Sequence, residues 1–216
     1  MQVVRLTDRE KIEALAEAEG FEYTDELRLQ SRLLRPFVRH SVNDHMAENP
    51  GTVSILRESV LRPQVRLALG NIGGQLGWGC FVLDDLPAGT LLGHYAGVLM
   101  GKGFFRWVYD YGMSYCGHFL VDAVDAGNFA RFINHSVREN VGFALEHCEE
   151  DGLLYRVARL TRDVRRGEQL AYNYGPGYWK GQRNPVEVRL CLNDQLTEVV
   201  LFEDNFDEEP VRSPAA

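Results

Sequence analysis

A mainly β (α+β) domain with a helical N-terminal addition is the fold that this sequence predicts, and three observations carry the prediction. From Val65 onward, short runs of β-branched and aromatic residues are separated by glycine turns. The first third instead carries a helix-capping pattern and apolar residues at helical spacing. The β-rich part lacks the strand–helix–strand alternation that builds an open parallel sheet.

Taken in order, Thr7-Asp8-Arg9-Glu10 reads as a capping box opening a helix with Ile12, Leu15 and Ala16 on one side and Gly20 at its end. A second helix is predicted after Thr24, carrying Leu27, Leu33 and Leu34 and stopping before Pro36. Residues from His40 to Gly51 read as polar and turn-rich, and a boundary falls near Arg62-Pro63. The chain thus divides into a helical N-terminal region (1–62), a main domain (63–180) and a C-terminal extension (181–216). The N-terminal region is expected to dock substrate or to self-associate, forming a homodimer through its helices, because its apolar faces must pack on something. Strands are predicted at Val65–Leu69, Trp78–Leu83, Leu91–Met100, His118–Val121, Phe143–His147, Leu153–Leu160 and Gln169–Tyr174, with a helical turn at Asn128–Asn134. Two connections look alike: Asp85-Leu86-Pro87-Ala88-Gly89 and Asp163-Val164-Arg165-Arg166-Gly167, each a short turn ending at a glycine before a new strand. The tail is acidic (Glu203, Asp204, Asp207, Glu208, Glu209) and is expected to fray.

Composition narrows the function classes. With 45% hydrophobic and 25% charged residues in 216, the chain can bury a core. A net charge of −8 argues against direct nucleic-acid binding and favours cationic partners such as basic peptides. Cys80, Cys116, Cys148 and Cys191 lie far apart, with no CxxC or Cys/His cluster, so no metal site and no disulfide framework is expected. The first residues lack the apolar stretch of a signal peptide and no segment is long enough to span a bilayer, so a soluble protein made in the cytoplasm is expected, with no membrane partner. Leu69-Gly70-Asn71-Ile72-Gly73-Gly74 faintly resembles a Rossmann glycine loop, but another turn and a strand follow it where a helix should start, so it reads as a hairpin or loop.

Four segments carry chemistry: Leu76-Gly77-Trp78-Gly79-Cys80-Phe81; Gly93-His94-Tyr95-Ala96-Gly97; Asp122-Ala123 with Gly127-Asn128-Phe129-Ala130-Arg131-Phe132-Ile133-Asn134-His135-Ser136 and Asn140; and Gly167-Glu168-Gln169-Leu170-Ala171-Tyr172-Asn173-Tyr174-Gly175. Each alone has a bland reading: a turn with a packed tryptophan, strand aromatics in a core, a glycosylation sequon, a plain turn. Together, and in this order, they resemble the SET-domain lysine methyltransferases over about Val65 to Trp179. The resemblance implies a β-clip of short-stranded sheets in which a C-terminal pseudoknot brings Tyr174 beside Asn134. It also implies an S-adenosylmethionine-dependent protein-lysine N-methyltransferase, with a histone tail as leading substrate. The alternatives are a methyltransferase for a non-histone protein and a non-catalytic SET module that binds peptides. The intact set of motifs favours catalysis.

By the same resemblance, Gly77, Trp78, Gly79, Asn134 and His135 hold the cofactor, and Tyr174 is the catalytic tyrosine, with Tyr95 and Tyr172 beside it. Tyr95, Phe143 and Tyr172 line the lysine channel. The family's cofactor-carboxylate tyrosine falls on Tyr109, with Tyr111 and Tyr115 as rivals, and Arg131 reads as a buried structural tether. Val137 replaces the cysteine that many members carry after Asn-His-Ser, and only Cys191 lies beyond Trp179, so no zinc knuckle can follow the domain. Gly175-Pro176-Gly177-Tyr178-Trp179 resembles compact bacterial and viral members instead, making Tyr178 and Trp179 candidates to close the site against the adenine and the lysine channel, with Trp179 as a further cofactor contact. Methyl transfer to an amine is an in-line displacement, which requires two substrates aligned from opposite sides. A tyrosine with pKa near 10 is a poor base at neutral pH, so Tyr174 is assigned orientation and electrostatics rather than proton abstraction. The resemblance further implies mono-methylation from Tyr172, two residues before the catalytic position, and a roomier pocket from Phe143.

Overall fold

The structure is a computed structural model and describes residues 3–56, 65–74, 76–103, 110–179 and 190–201. The chain opens with β1 (Val3–Arg5) and α1 (Arg9–Ala18), whose cap is the Asp8 carboxylate accepting from the Lys11 N–H. Ile12, Leu15 and Ala16 form the buried face of α1, as the spacing predicts. β2 (Glu22–Tyr23) and β3 (Leu27–Leu29) follow. The helix predicted across Leu27–Leu34 is therefore a strand and a 3-10 turn (Arg32–Leu34) capped by Ser31, and α2 (Arg35–Glu48) begins where that helix was expected to stop. Pro36 has two meanings in sequence, a stop or a start; here it sits in the first turn, where its missing N–H costs nothing. The polar stretch from His40 becomes the body of α2, which buries only Val38 and Val42.

Short strands dominate the rest, in small sheets. β5 (Leu67–Gly73) and β6 (Gly77–Val82) pair antiparallel, flanked by β1, so Leu69–Gly73 of the glycine-rich segment is the end of a hairpin strand and only Gly74 of it is a turn residue. β7 (Leu91–His94) and β8 (Gly97–Gly101) occupy the run predicted as one strand. The chain breaks at Tyr95-Ala96 because it changes sheets there. β8 joins β3, β10 (Phe119–Asp122) and β9 (Gly112–Ser114), whereas β7 edges the sheet built on β13 (Val141–Cys148), β14 (Leu153–Leu160) and β4 (Ile55–Leu56). Gly97 permits the change: its φ is +153°, and a Cβ there would lie 2.5 Å from the Asp122 carbonyl oxygen. β11 (Ala126–Gly127) pairs with β2, and a 3-10 turn (Phe129–Phe132) stands where the helical turn is predicted.

β12 (Asn134–His135) and β15 (Ala171–Tyr172) run parallel, with Asn134 opposite Ala171 and His135 opposite Tyr172. This is the threaded crossing. β16 (Leu190–Leu192) and β17 (Val199–Leu201) pair antiparallel and bury Leu190, Leu192 and Val199 in a small cluster with Ala68, Phe81 and Leu83. The main core gathers Leu67, Leu69, Leu92, Leu99, Phe129, Leu154 and Leu170. Residues 3–56 thus give one strand to each of four sheets, and the boundary expected near residue 62 lies outside the described residues. No described helix is long and apolar enough to cross a membrane.

The two look-alike connections pack on each other with near-twofold reciprocity. The Leu86 N–H donates to the Val164 carbonyl (3.0 Å) and the Val164 N–H to the Leu86 carbonyl (2.9 Å). Asp85 accepts from the Arg166 N–H (2.8 Å), and Asp163 from the Ala88 N–H (2.8 Å). From this joint one arm runs to Tyr95 and the other to Tyr172 and Tyr174.

Candidate active site

The second arm is held by the crossing and by one buried side chain. Asn140 is buried, and its Nδ2 donates to the Gln169 carbonyl (2.8 Å) and to Glu168 (3.2 Å), while its Oδ1 accepts from the Ala171 N–H (2.8 Å). Glu168 is itself fixed by Arg162 (2.5 Å). The crossing extends through the Ser136 N–H, which donates to the Tyr172 carbonyl (3.2 Å), and the Tyr174 N–H, which donates to His135 Nδ1 (3.1 Å). That last bond makes Nδ1 an acceptor, so the ring proton of a neutral His135 sits on Nε2.

The result is a cleft of about 440 Å³ whose lining includes Tyr95, Tyr111, Arg131, Tyr172, Tyr174 and Tyr178. The Tyr174 hydroxyl donates to the Ile133 carbonyl (2.9 Å), and the Tyr95 hydroxyl donates to the Tyr111 carbonyl (2.8 Å). With each phenol proton so directed, the remaining oxygen lone pairs are the groups offered to the cleft. Phe143 stands edge-on to Tyr95 (6.1 Å between centroids) and to Tyr172 (5.0 Å), and Tyr172 leans on Tyr174 (5.3 Å). Burial pushes the phenols of Tyr95, Tyr172 and Tyr174 above their ordinary value, so all three stay protonated at neutral pH. Tyr178 and Trp179 cover Tyr174 from the C-terminal side, at 4.8 Å edge-on and 6.2 Å stacked. Trp179 also stands edge-on to His135 at 4.9 Å.

Of the residues expected to hold the cofactor, Gly77, Trp78 and Gly79 lie on β6, with Trp78 buried and Gly77 at φ +61°. Asn134 Nδ2 donates to the Trp78 carbonyl (3.1 Å), so the first and third motifs are tied directly. Tyr109 lies outside the described residues; of its rivals, Tyr111 lines the cleft, whereas the Tyr115 hydroxyl accepts from the Leu154 N–H (2.8 Å) inside the core. The structure enlarges the part of one motif residue and adds Arg156, which the motifs did not single out. Arg131 is more than a tether. Its guanidinium lies on the cleft wall between the rings of Phe21 (3.7 Å) and Tyr111 (4.3 Å), and its Nε finds no hydrogen-bond partner among the described residues. Arg156 ties β14 to the edge strand β9 through the Ser114 carbonyl (2.6 Å). Among the described residues, no three His, Cys, Asp or Glu side chains converge to hold a metal ion.

At this site Gly77 is open around its Cα, whereas Gly79 is packed by the side chains of Ile72 and Gln169; the Trp78 indole is buried, and the buried Arg131 guanidinium keeps an Nε without a partner among the described residues. Residues 77–175 match the family model described as the SET domain. Histone-lysine N-methyltransferase EHMT1 from Mus musculus and from Homo sapiens are each 33% identical over 116 residues, covering 48% of this chain. The chain spans 9% of the length of these curated relatives. A crystal structure of KRYPTONITE in complex with mCHG DNA and SAH matches with a TM-score of 0.46 and 27% identity, over 53% of this chain and 24% of that one.

Proposed function

From the SET domain that residues 77–175 form, we propose that this protein is an S-adenosylmethionine-dependent protein-lysine N-methyltransferase. One observation carries the reading: the threaded crossing sets Tyr174 against His135 and beneath the rings of Tyr172, Tyr178 and Trp179, at the end of an aromatic cleft. S-adenosylmethionine, when bound, supplies an electrophilic methyl group on a sulfonium. Gly77, Trp78, Gly79, Asn134 and His135 are the residues proposed to hold it, with Arg131 as a donor for its carboxylate. Tyr95, Phe143 and Tyr172 are proposed to line the channel for the lysine.

The tyrosines orient rather than titrate. A free lysine has a pKa of about 10.4, so roughly one in a thousand is neutral at pH 7.4. Desolvation in a narrow channel beside the positive sulfonium disfavours the ammonium, which raises the neutral fraction, and the proton leaves to water. With their own protons turned to the carbonyls of Ile133 and Tyr111, Tyr174 and Tyr95 present lone pairs toward the reacting groups. A histone tail is the proposed substrate. The names of the EHMT1 relatives support it, as does a net charge of −8, which attracts Lys/Arg-rich segments.

Incubation with methyl-labelled S-adenosylmethionine, core histones and a whole-cell lysate tests the reading. Label on a lysine of a histone, located by mass spectrometry, is the expected result. Label confined to other proteins would overturn the histone assignment, and no protein label at all would overturn the enzymatic one.

A further inference from the structure

Two motif residues are held from outside the matched domain. At the end of α1 the Glu19 N–H bonds back to the Leu15 carbonyl (2.9 Å), Gly20 takes φ +76°, and the Phe21 N–H bonds to the Ala16 carbonyl (2.9 Å). This glycine-terminated cap turns the chain sharply, so Glu19 and Phe21 project from a rigid corner rather than from a loose loop. Beyond the corner, the Glu22 N–H bonds to the Asp125 carbonyl and the Thr24 N–H to the Gly127 carbonyl, both at 2.9 Å, which anchors the segment at its other end. From this corner, Glu19 accepts the indole N–H of Trp78 (2.8 Å). Phe21 is buried, packs edge-on against Phe132 (5.8 Å), and lies flat beneath the Arg131 guanidinium, 3.7 Å from its centroid.

The two contacts reach the two motifs through which the cofactor reading runs. Trp78 is the centre of Gly-Trp-Gly, and Arg131 opens Arg-Phe-Ile-Asn-His. Both partners precede the matched span of 77–175. The indole has a single donor, so the Glu19 bond fixes its rotation. The guanidinium is clamped between Phe21 and Tyr111, which sets the direction of its unpartnered Nε.

We propose that Glu19 and Phe21 are positioning residues of the cofactor site, fixing Trp78 and Arg131 for the amino-acid end of the cofactor. This rests on the cofactor reading given above, and it gives residues of the region expected to dock or self-associate a part in the site itself.

Calorimetric binding of S-adenosylhomocysteine to the full chain tests it without depending on turnover. Glu19→Ala is expected to weaken binding roughly five-fold or more, whereas Glu19→Gln, which keeps an acceptor oxygen, stays within about two-fold of the unaltered protein. Phe21→Leu is expected to weaken binding roughly five-fold, and Phe21→Tyr, which keeps the ring, about two-fold at most. Glu19 is exposed at the helix end, so Glu19→Ala decides the matter even if Phe21→Leu fails to fold. A purely structural role would lower melting temperatures without separating Ala from Gln in affinity. Folded Glu19→Ala protein that binds as tightly as the unaltered chain overturns this inference alone. An unaltered chain that does not bind the probe overturns the cofactor reading and this inference with it.

Discussion

The two arms that leave the paired turns start alike and end differently. After Gly89 the first arm enters β7, which pairs antiparallel with β14 inside a four-stranded sheet and delivers Tyr95 to the cleft already buried. After Gly167 the second arm reaches Tyr172 and Tyr174 through β15, which has only a two-residue parallel partner in β12. One arm is held by a sheet; the other is held by a crossing and by Asn140. The comparison teaches that a short parallel pair can place the side chains proposed to be catalytic when a buried amide substitutes for the missing strand. It also says where the site is most vulnerable.

Asn140→Ala is the sharpest way to break the second arm. It strips partners from the Ala171 N–H and the Gln169 carbonyl, at about 1–3 kcal/mol for each group left unsatisfied. Denaturant unfolding should show that loss together with a fall in turnover of two orders of magnitude or more; near-normal turnover would mean the crossing holds its register without the amide. The two turn glycines sharpen the contrast at smaller cost. Both have positive φ (+80° for Gly89, +87° for Gly167), so alanine is strained at each by about 1–2 kcal/mol. Only at Gly167 would the new Cβ meet backbone, 3.0 Å from the Leu192 carbonyl oxygen. Melting should therefore fall further in Gly167→Ala than in Gly89→Ala, and the reverse order would contradict the packing described here.

Tyr172→Phe probes the second arm at its tip. No described residue hydrogen-bonds the Tyr172 hydroxyl, which leaves it for water or for the substrate nitrogen, and one such bond is worth about 1 kcal/mol. Persistent mono-methyl product from the unaltered protein, moving to higher methylation in the variant, is the outcome expected in a mass-spectrometric time course. Rapid tri-methylation by the unaltered protein would remove Tyr172 from this role. Chelator marks the zero of the scale: with no metal-competent cluster among the described residues, activity and melting temperature are expected not to move.

The paired glycine turns were legible in the sequence because they are local signals, whereas the break of Leu91–Met100 into two strands was not, and the crossing, which pairs Asn134 with Ala171, came only from the resemblance. Leu153–Leu160 is a strand over its whole predicted length, and Phe129–Phe132 turns where Asn128–Asn134 was read as helical. The second helix was misplaced because Pro36 carries opposite meanings at a helix end and a helix start. Glu19 and Phe21 gave no signal, since the partner of Glu19 lies 59 residues away and neither residue belongs to a motif. Arg131 was visible as a buried cation, but its place on the cleft wall depends on Phe21 and Tyr111, which only the folded chain brings together. Tyr115 fitted a strand pattern as well as Tyr111 did, and only packing separates the core tyrosine from the one on the cleft.

The measurement closest to the central claim separates binding from turnover in Tyr174→Phe. The variant keeps the ring that packs on His135, Tyr172, Tyr178 and Trp179, and loses only the hydroxyl bonded to the Ile133 carbonyl. Calorimetry with S-adenosylmethionine should return a dissociation constant within about two-fold of the unaltered protein, because the packing is untouched, while peptide methylation falls by roughly two orders of magnitude or more, in the range seen when one positioned catalytic group is lost. Wild-type-like turnover in the variant would contradict the account, since it would leave the crossing with no catalytic group to deliver.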